Sequence, residues 1–373
     1  MFRFLHASDL HLGKPFGRFP EDVRARLRQA RADALPRLAD LARAHGAGHI
    51  LLAGDTFDQT TPAPTVVRHA LNAMAGAEGI EWLLLPGNHD HANATELWRQ
   101  VRRDAPPNVT ALLEPAPHAL QGAVILPAPP AERHPGRDLT DWFDSADTGE
   151  ALRIGLAHGS VTDFDSSEEG ASSVIAPDRA ERAGLAWLAL GDWHGQRRIG
   201  PRTWYSGTPE ADSFKHGADP SALLVELAGS GAAPGVTSLP GGALRWSRLR
   251  LDLDAQDDPL AAHATSLPAL SDRARTLFDL QVTGQLRATA RAELERAIAQ
   301  AAPDFLWHRS DTEALALVQD AADLDLIDRQ GALRAAAEAL ASEAQDPALD
   351  PETRATARAA LQRLFGYALE DDT

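Results

Sequence analysis

Five short segments of this 373-residue sequence concentrate aspartate, histidine and asparagine: SDLH, GDTFD, GNHDH, AHG and GDWH. Their side chains offer carboxylate and amide oxygens together with imidazole nitrogens, which is the ligand set of a divalent-metal site rather than of an apolar pocket. A single residue of this kind is more often a helix cap or a loop residue, but five such segments in one chain predict a shared site. The candidate residues are Asp9, His11, Asp55, Asp58, Asn88, His89, Asp90, His158, Asp192 and His194.

Such a set of ligands is suited to phosphoryl chemistry. Two divalent ions about 3.5–4 Å apart can activate a water molecule and bind the oxygens of a phosphoryl group during in-line displacement. Asp55 is the candidate for the carboxylate that bridges both ions, because Gly54 before it permits a tight turn. His89 is the candidate general acid or stabiliser of the phosphorane charge, since imidazole exchanges its proton near neutral pH. The mixture of ligands favours manganese or iron, with zinc less excluded than magnesium.

Each polar segment follows a short apolar run that must position it. HILLAGDTFD, WLLLPGNHDH and AWLALGDWHG break abruptly at a glycine, while RFLHASDLH runs into Asp9 and His11 and LRIGLAHG ends in His158. Apolar runs of this length are typical of buried parallel strands. Ligands of open α/β sheets bind at the carboxyl ends of the strands. The five segments are therefore expected at one edge of the sheet structure.

Helical patterns connect these predicted strands. Apolar residues from Val23 to Leu41 recur at helical spacing, and Pro36 should kink or divide that helix. A second helix is predicted over Thr65–Ala75, which gives β-α-β-α-β order and a parallel sheet with right-handed crossovers. Further strands are expected at VTALL and AVILPAP, and shorter strands follow from Arg202 onward, ending with LRWSRLRLDL.

The predicted fold class is α/β, a layered sheet sandwich flanked by helices, with a small C-terminal α/β cap and a helical tail. Residues 1–254 form the domain with the candidate site, 255–310 form the cap, and 311–373 form a helical segment that packs on the cap or binds another protein. The acidic stretch DFDSSEEG at 163–170 is expected to solvate a loop rather than bind an ion.

Composition restricts the classes of function. The absence of cysteine excludes disulfides, thiolate zinc sites and cysteine nucleophiles, and it fits a reducing compartment. No charged-then-apolar leader and no bilayer-length apolar run are present, so we expect a cytoplasmic protein without membrane contact. The net charge of −17 argues against coating nucleic acid by bulk electrostatics. Basic residues between Lys14 and Arg31 form either a local patch or, more simply, a solvated helix face.

The ordered set DLH, GDTFD, GNHD, HG and GDWH resembles the five signatures of the calcineurin-like metallophosphoesterases over about residues 4–215. Within that superfamily, SDLHLGKPFGRF and WYSGTPEADSF resemble the DNA-repair exonuclease branch, which comprises the SbcD-type nucleases and their YhaO-like relatives. The resemblance implies a metallophosphoesterase sheet sandwich, a cap domain that touches DNA and a C-terminal segment that docks onto an SMC-type ATPase.

The resemblance also implies roles for individual residues. One metal would be held by Asp9, His11, Asp55 and His194, and the other by Asp55, Asn88, His158 and Asp192. His89 would be the catalytic histidine, and Asp58 would orient it or the substrate. SbcD-type nucleases usually show GHxH where this chain has GDWH. Asp192 is thus either a ligand that favours harder metals or not a ligand, which would weaken the second site.

Three functions are compatible with these residues. The first is a manganese-dependent DNA nuclease that acts with an ATPase partner, which the predicted cap and WYSGTPE favour. The second is a phosphatase or phosphodiesterase for a small substrate such as a cyclic nucleotide. The third, a non-catalytic scaffold, is disfavoured because no ligand position has become apolar. A homodimer through the Val23–Leu41 and Thr65–Ala75 helices is a further candidate, although their apolar faces fit a core role better.

Overall fold

The computed structural model describes residues 1–161, 174–215, 219–318 and 331–370, so the acidic stretch at 163–170 lies outside the described residues. The chain divides into two compact units, Met1–Arg245 and Trp246–Thr373. Within the described ranges, no helix combines the length and apolar character needed to cross a membrane.

The first unit is built from two sheets and the helices that cover them. Its strands are β1 (Phe2–Ala7), β2 (His49–Ala53), β3 (Glu81–Leu85), β4 (Val109–Ala111), β5 (His118–Leu120), β6 (Ala123–Ala128), β7 (Leu152–His158), β8 (Ser160–Val161), β9 (Val174–Ile175), β10 (Trp187–Gly191), β11 (Arg197–Arg198), β12 (Thr203–Tyr205), β13 (Ser221–Leu227) and β14 (Gly235–Pro240). Its helices are α1 (Glu21–Ala32), α2 (Ala34–Ala44), α3 (Pro64–Ala75), α4 (Thr95–Asp104) and α5 (Arg179–Arg182), with a 3₁₀ turn at Asp141–Ser145.

Parallel strands form the centre of both sheets. The first sheet has the order β14-β13-β1-β2-β3-β4, in which β1 to β4 are parallel. The second has the order β11-β12-β10-β7-β6-β5, in which β6, β7, β10 and β12 are parallel. The predicted α/β sandwich with a parallel β-α-β-α-β core is therefore confirmed.

The core lies in layers on both sides of each sheet. Phe4 and Leu51 of the first sheet share one buried cluster with Ile154 and Trp187 of the second. A second cluster joins the other face of β1 to β3 to helices α2, α3 and α4, and a third covers the outer face of β7 and β10. Because these strands are buried on both faces, they appear in the sequence as continuous apolar runs.

The first long helical pattern is divided, as Pro36 predicts. Helix α1 ends at Ala32 and α2 begins at Ala34, so Pro36 lies in the first turn of α2. Proline is tolerated there because the first N–H groups of a helix have no partner within the helix. The apolar faces of α1, α2 and α3 are buried in the core, so they perform the core role that the sequence favours over dimer contacts.

The second unit is a smaller α/β structure. Its elements are β15 (Arg245–Leu253), α6 (Pro259–Ser266), α7 (Leu270–Arg273), β16 (Thr276–Arg287), α8 (Ala288–Ala301), a 3₁₀ turn at Ala302–Asp304, β17 (Trp307–Asp311), β18 (Leu315–Val318), α9 (Ala332–Gln345) and α10 (Pro351–Glu370). Leu294 and Ile298 of α8 pack against Phe278 and Leu280 of the sheet. Helices α9 and α10 join α8 in a small apolar cluster.

The boundary between the units differs from the sequence expectation. The alternating segment LRWSRLRLDL is expected in the first domain, which the sequence extends to residue 254. The structure pairs β15 with β16, so the division falls between Arg245 and Trp246. An alternating strand can pair with any edge of matching length, and its own pattern does not specify the partner.

Candidate metal centre

Four candidate ligands lie in a left-handed backbone conformation at the ends of strands. The φ angles are 57° at Asp9, 42° at His11, 52° at Asp55 and 104° at Asp192. Non-glycine residues rarely adopt positive φ, and such strain persists where the surrounding structure enforces it, often at functional sites. The chain thus turns sharply after β1, β2 and β10, and each turn delivers a polar side chain to the same place.

Asp55 occupies the centre of the cluster. Its Oδ1 accepts a hydrogen bond from the backbone N–H of His89 at 2.9 Å. Its Oδ2 lies 3.6 Å from Nε2 of His11 and 3.6 Å from Nε2 of His158. Burial raises the pKa of the Asp55 carboxyl well above its ordinary value. One oxygen is therefore fixed by the main chain while the other faces two imidazoles, which suits a carboxylate shared by two cations.

Two glycines make room for this arrangement. A Cβ at Gly87 would stand 2.1 Å from Oδ1 of Asp55, and a Cβ at Gly54 would stand 2.1 Å from Nδ1 of His158. Gly54 also has a φ of +92°, as the tight turn predicted after β2 requires. At Gly87 the requirement is space alone, which only the tertiary structure reveals.

Main-chain carbonyls orient two of the histidines. Nδ1 of His158 is 2.8 Å from the carbonyl oxygen of Ala53, and Nδ1 of His89 is 2.8 Å from that of Asp58. A proton on each Nδ1 satisfies the carbonyl and leaves Nε2 as the second functional nitrogen. Across the part of the chain that the structure describes, Nε2 of His158 is buried without a hydrogen-bond partner. A buried imidazole lone pair in this state fits a metal ligand.

The carboxylates around His158 show how strongly the site attracts positive charge. Burial by itself lowers the pKa of His158, but Asp55, Asp9 and Asp192 outweigh it and raise the pKa to about 9. Ligands must lose their protons to bind a metal, so a divalent cation here would replace a proton on His158. The three carboxylates around His158 therefore favour a bound cation.

Asn88 and Asp192 form the outer side of the same group. Nδ2 of Asn88 donates to Oδ1 of Asp192 at 3.1 Å, and that oxygen lies 3.7 Å from Nε2 of His158. Among the described residues, Oδ1 of Asn88 is buried without a hydrogen-bond partner. The amide is thus oriented with its oxygen available to a cation. Asp192 thus orients Asn88, and the same carboxylate oxygen lies near the imidazole of His158.

A second group of potential ligands contains Asp9, His11 and His194. Nε2 of His11 and Nε2 of His194 are 3.1 Å apart, and Nε2 of His194 is 4.0 Å from Oδ1 of Asp9. Two imidazole nitrogens at this distance share a proton or a cation. Asp9 also belongs to a group with Asp55 and His158, so the two groups are adjacent.

The family resemblance implies that Asp58 orients His89 or the substrate, and the structure places Asp58 beside His89. Asp58 holds His89 through its backbone carbonyl oxygen, while its carboxylate Oδ1 lies 3.2 Å from Nδ1 of His11. Burial lowers the pKa of His89. His89, Asp58 and His11 form a third group of potential ligands at the same site.

Asp90 serves as a structural link rather than as a ligand. Its Oδ1 accepts from the N–H of Gly87 at 2.6 Å, and its Oδ2 accepts from the N–H of Phe57 at 2.9 Å. The side chain is completely buried. The carboxylate of Asp90 therefore joins the GDTFD and GNHD segments. By residue type alone, Asp90 is grouped with the candidate metal ligands.

Arg31 is a buried residue that holds the main chain of the first signature, DLH. It is 2% exposed, and it donates to the carbonyl oxygens of Asp9 at 2.7 Å, Leu10 at 2.6 Å and Glu210 at 2.8 Å. The sequence places it in a basic segment, as part of a patch or a solvated helix face, and the structure contradicts both. Its four-residue spacing from the buried Leu27 is the signal that it lies on the apolar stripe of α1.

Asp212 is a further residue that sequence reasoning does not select. It lies in WYSGTPEADSF, its side chain is 3% exposed, and it contacts both His194 and Lys14. Burial opposes ionisation of Asp212, but His194, Arg31 and Lys14 outweigh it and lower the pKa far below its ordinary value. Lys14, a member of the same basic segment as Arg31, is thus engaged by an acidic partner.

Comparison with known proteins agrees with this geometry. Residues 2–219 match the family model described as calcineurin-like phosphoesterase. The uncharacterized metallophosphoesterase YhaO of Bacillus subtilis is 26% identical over 251 residues, which cover 60% of this chain and 57% of that protein. The SbcD component of nuclease SbcCD from the same bacterium is 25% identical over 287 residues, which cover 67% of this chain and 69% of that component.

The SbcD component of nuclease SbcCD from Escherichia coli K12 is 31% identical over 137 residues, which cover 34% of this chain and 32% of that component. The chain thus spans little more than half of YhaO and about a third of E. coli SbcD. The family model, in contrast, spans more than half of this chain and includes all five strand ends that meet at the candidate site. Because this match covers more than half of the chain, the chain belongs to the calcineurin-like phosphoesterases, which are metal-dependent phosphoester hydrolases.

Proposed function

We propose that this protein is a two-metal phosphodiesterase that cleaves DNA and works with an SMC-type ATPase. The observation that carries the hydrolytic part is the position of Asp55, whose Oδ2 is equally distant, at 3.6 Å, from Nε2 of His11 and Nε2 of His158. If a pair of cations were bound here, a carboxylate oxygen equally distant from two imidazoles could be shared by both.

The ligands divide into two sets around Asp55. The first set would be Asp9, His11, Asp55 and His194, and the second would be Asp55, Asn88, His158 and Asp192. A pair of divalent cations supplies Lewis acidity, which neutralises phosphoryl charge and lowers the pKa of a water. We propose Mn²⁺ as the metal, with iron or zinc as alternatives, because imidazole and oxygen donors are mixed in both sets.

His89 is the proposed catalytic residue. Because its Nδ1 is engaged by the Asp58 carbonyl oxygen at 2.8 Å, the proton it can exchange is on Nε2. When the ring is protonated, Nε2 can donate to the leaving oxygen. Asp58 acts on this step as a positioning residue, since it fixes the ring that moves the proton.

Two observations support DNA as the substrate. The SbcD components of nuclease SbcCD from B. subtilis and E. coli share 25% and 31% identity with this chain. The match to B. subtilis SbcD covers 67% of this chain, which is more of the chain than the family model covers with residues 2–219. The second unit supplies the α/β cap and the helices α9 and α10, where we propose the DNA and ATPase contacts.

A small phosphodiester is the alternative substrate, and the net charge of −17 favours it. Affinity for nucleic acid normally depends on clustered lysine and arginine. Two of the basic residues between Lys14 and Arg31 are occupied, because Lys14 contacts Asp212 and Arg31 is buried. A DNA substrate must then be recruited by a local surface or by a partner.

The test is a substrate comparison with the purified chain in Mn²⁺. Labelled linear DNA and bis-p-nitrophenyl phosphate are each incubated with and without a candidate SMC-type ATPase. We expect hydrolysis of the ester by the chain alone and DNA cleavage that the ATPase stimulates. Turnover of only the small ester in every combination would support the alternative substrate, and no turnover of either would contradict the metal site.

A further inference from the structure

The two segments that resemble the exonuclease branch meet in space at Asp212. SDLHLGKPFGRF contributes Lys14, and WYSGTPEADSF contributes Asp212. Nζ of Lys14 donates to Oδ2 of Asp212 at 2.6 Å, and Nδ1 of His194 is 3.2 Å from Oδ1 of the same carboxylate. Both carboxylate oxygens are thus engaged, one by the ammonium group of Lys14 and the other by the imidazole of His194, a proposed metal ligand.

This contact determines which nitrogen of His194 can bind a metal. A proton on Nδ1 satisfies the Asp212 carboxylate and leaves Nε2 as the lone-pair nitrogen. Nε2 is the atom that lies 3.1 Å from Nε2 of His11. A carboxylate behind a metal-binding histidine fixes the ring and increases its basicity. His158, in contrast, turns Nδ1 to a main-chain carbonyl, which a side-chain substitution cannot remove.

The surroundings hold Asp212 in place. Its side chain is 3% exposed, while that of Lys14 is 29% exposed, so the carboxylate is shielded from solvent and the lysine remains partly accessible. The backbone N–H of Lys14 donates to the carbonyl oxygen of His11 at 3.1 Å. Arg31 joins the carbonyl oxygens of Asp9 and Glu210, which fixes the loop before Asp212 to the first signature. The support and the ligands it serves therefore form one connected structure.

We propose that Asp212 is a positioning residue for His194 and that Lys14 fixes the Asp212 carboxylate, so that the two segments together set the metal affinity of the site containing His194. This inference rests on the proposed role of His194 as a metal ligand. Its consequence is selective, because His158 is oriented by the carbonyl oxygen of Ala53 and faces Asp55 and Asp192. The two metal sites should therefore respond differently to a change at Asp212.

The experiment is a titration of the metal-free, full-length chain with Mn²⁺, in which free Mn²⁺ is followed by electron paramagnetic resonance. We expect Asp212→Asn to raise the Kd of one of the two ions by about 10- to 100-fold and to leave the other within about threefold. The matched control is Asp138→Asn, which removes a carboxylate from the ion pair with buried Arg179 in the same unit. It should leave both affinities within about twofold.

His194→Ala separates failure of this inference from failure of the proposed function. If His194→Ala leaves both affinities unchanged, His194 is not a ligand and the proposed metal set is wrong. If His194→Ala weakens one ion while Asp212→Asn does not, the metal set stands and the positioning role of Asp212 is overturned. Equal weakening of both ions by Asp212→Asn would also overturn it, since that result would indicate a general structural effect.

In the wild-type background, Lys14→Met provides a second route that does not depend on folding of the Asp212 variant, and the double variant adds a measurement of coupling. Its side chain is partly exposed, so this variant is expected to fold. If Lys14 acts through Asp212, Lys14→Met in the wild-type background will shift the affinity of the same single ion. In the Asp212→Asn background, Lys14→Met will leave that affinity unchanged within about twofold. An unchanged affinity in the wild-type background, or fully additive shifts, would contradict the role of Lys14.

Discussion

Replacement of Gly87 by alanine tests the geometry of the site with a single methyl group. The added Cβ would stand 2.1 Å from Oδ1, 2.4 Å from the backbone nitrogen and 2.7 Å from Cγ of Asp55. Real Cβ contacts essentially never fall under 3.0 Å, so Asp55 and residue 87 must separate by about 0.9 Å. Gly87 has no positive φ, so the effect comes from space and not from backbone strain.

Neither residue can move away freely. The N–H of Gly87 donates to Oδ1 of Asp90 at 2.6 Å, and Asp90 is fixed in turn by the N–H of Phe57. The carbonyl oxygen of Asp55 accepts from the N–H of His11 at 2.9 Å. Overpacking of this kind costs about 1–3 kcal/mol of stability. A displacement of about 1 Å at a catalytic centre costs on the order of 10²-fold in rate.

We therefore expect Gly87→Ala to lower kcat/KM for bis-p-nitrophenyl phosphate in Mn²⁺ by about 100-fold. Unfolding of the metal-free protein in urea should show a loss of about 1–3 kcal/mol. The control is Gly48→Ala, because a Cβ at Gly48 meets nothing within 4 Å. That variant should keep activity within about twofold. Activity of Gly87→Ala within about threefold of wild type would refute the proposed placement of Asp55.

Three further substitutions test other parts of the structure. His89→Ala should lower kcat by about 10²- to 10⁴-fold while elemental analysis still finds both metals, and full activity would remove His89 from the mechanism. Asp55→Ala should cost both ions, so one ion at full occupancy would show that Asp55 does not bridge. In the second unit, burial opposes ionisation of Asp279, but hydrogen bonds from Arg309 and Arg248 outweigh it and lower the pKa. The folded state then favours the charged carboxylate, so its contribution is complete above the ordinary aspartate pKa of about 4 and is lost as the pH falls through the lower folded value. Asp279→Asn should cost about 2 kcal/mol in urea unfolding at about pH 7 and progressively less below about pH 4, whereas a difference independent of pH would contradict the ion pair.

Much of the first unit could be predicted from sequence because the signals are local. Apolar runs that stop at glycine identified β2, β3 and β10, and helical spacing with Pro36 identified the division between α1 and α2. The end of the first unit could not be predicted in the same way. Strand β15 has a clear alternating pattern, but its partner β16 is chosen by pairing, which the pattern of one strand does not encode.

The sequence by itself determined the chemical identity of the donors and the positions along the chain of the strands that carry them. Both depend on residues that are close together in the chain. Only the tertiary structure decided which side chains support those donors. Lys14 and Asp212 are 198 positions apart, and Arg31 and Glu210 are 179 apart, yet each pair is in hydrogen-bond contact. Asp90 is a candidate ligand by sequence, but in the structure it links two loops, which again depends on tertiary packing. Such roles arise from packing of distant segments, where a buried polar group must find a partner in space.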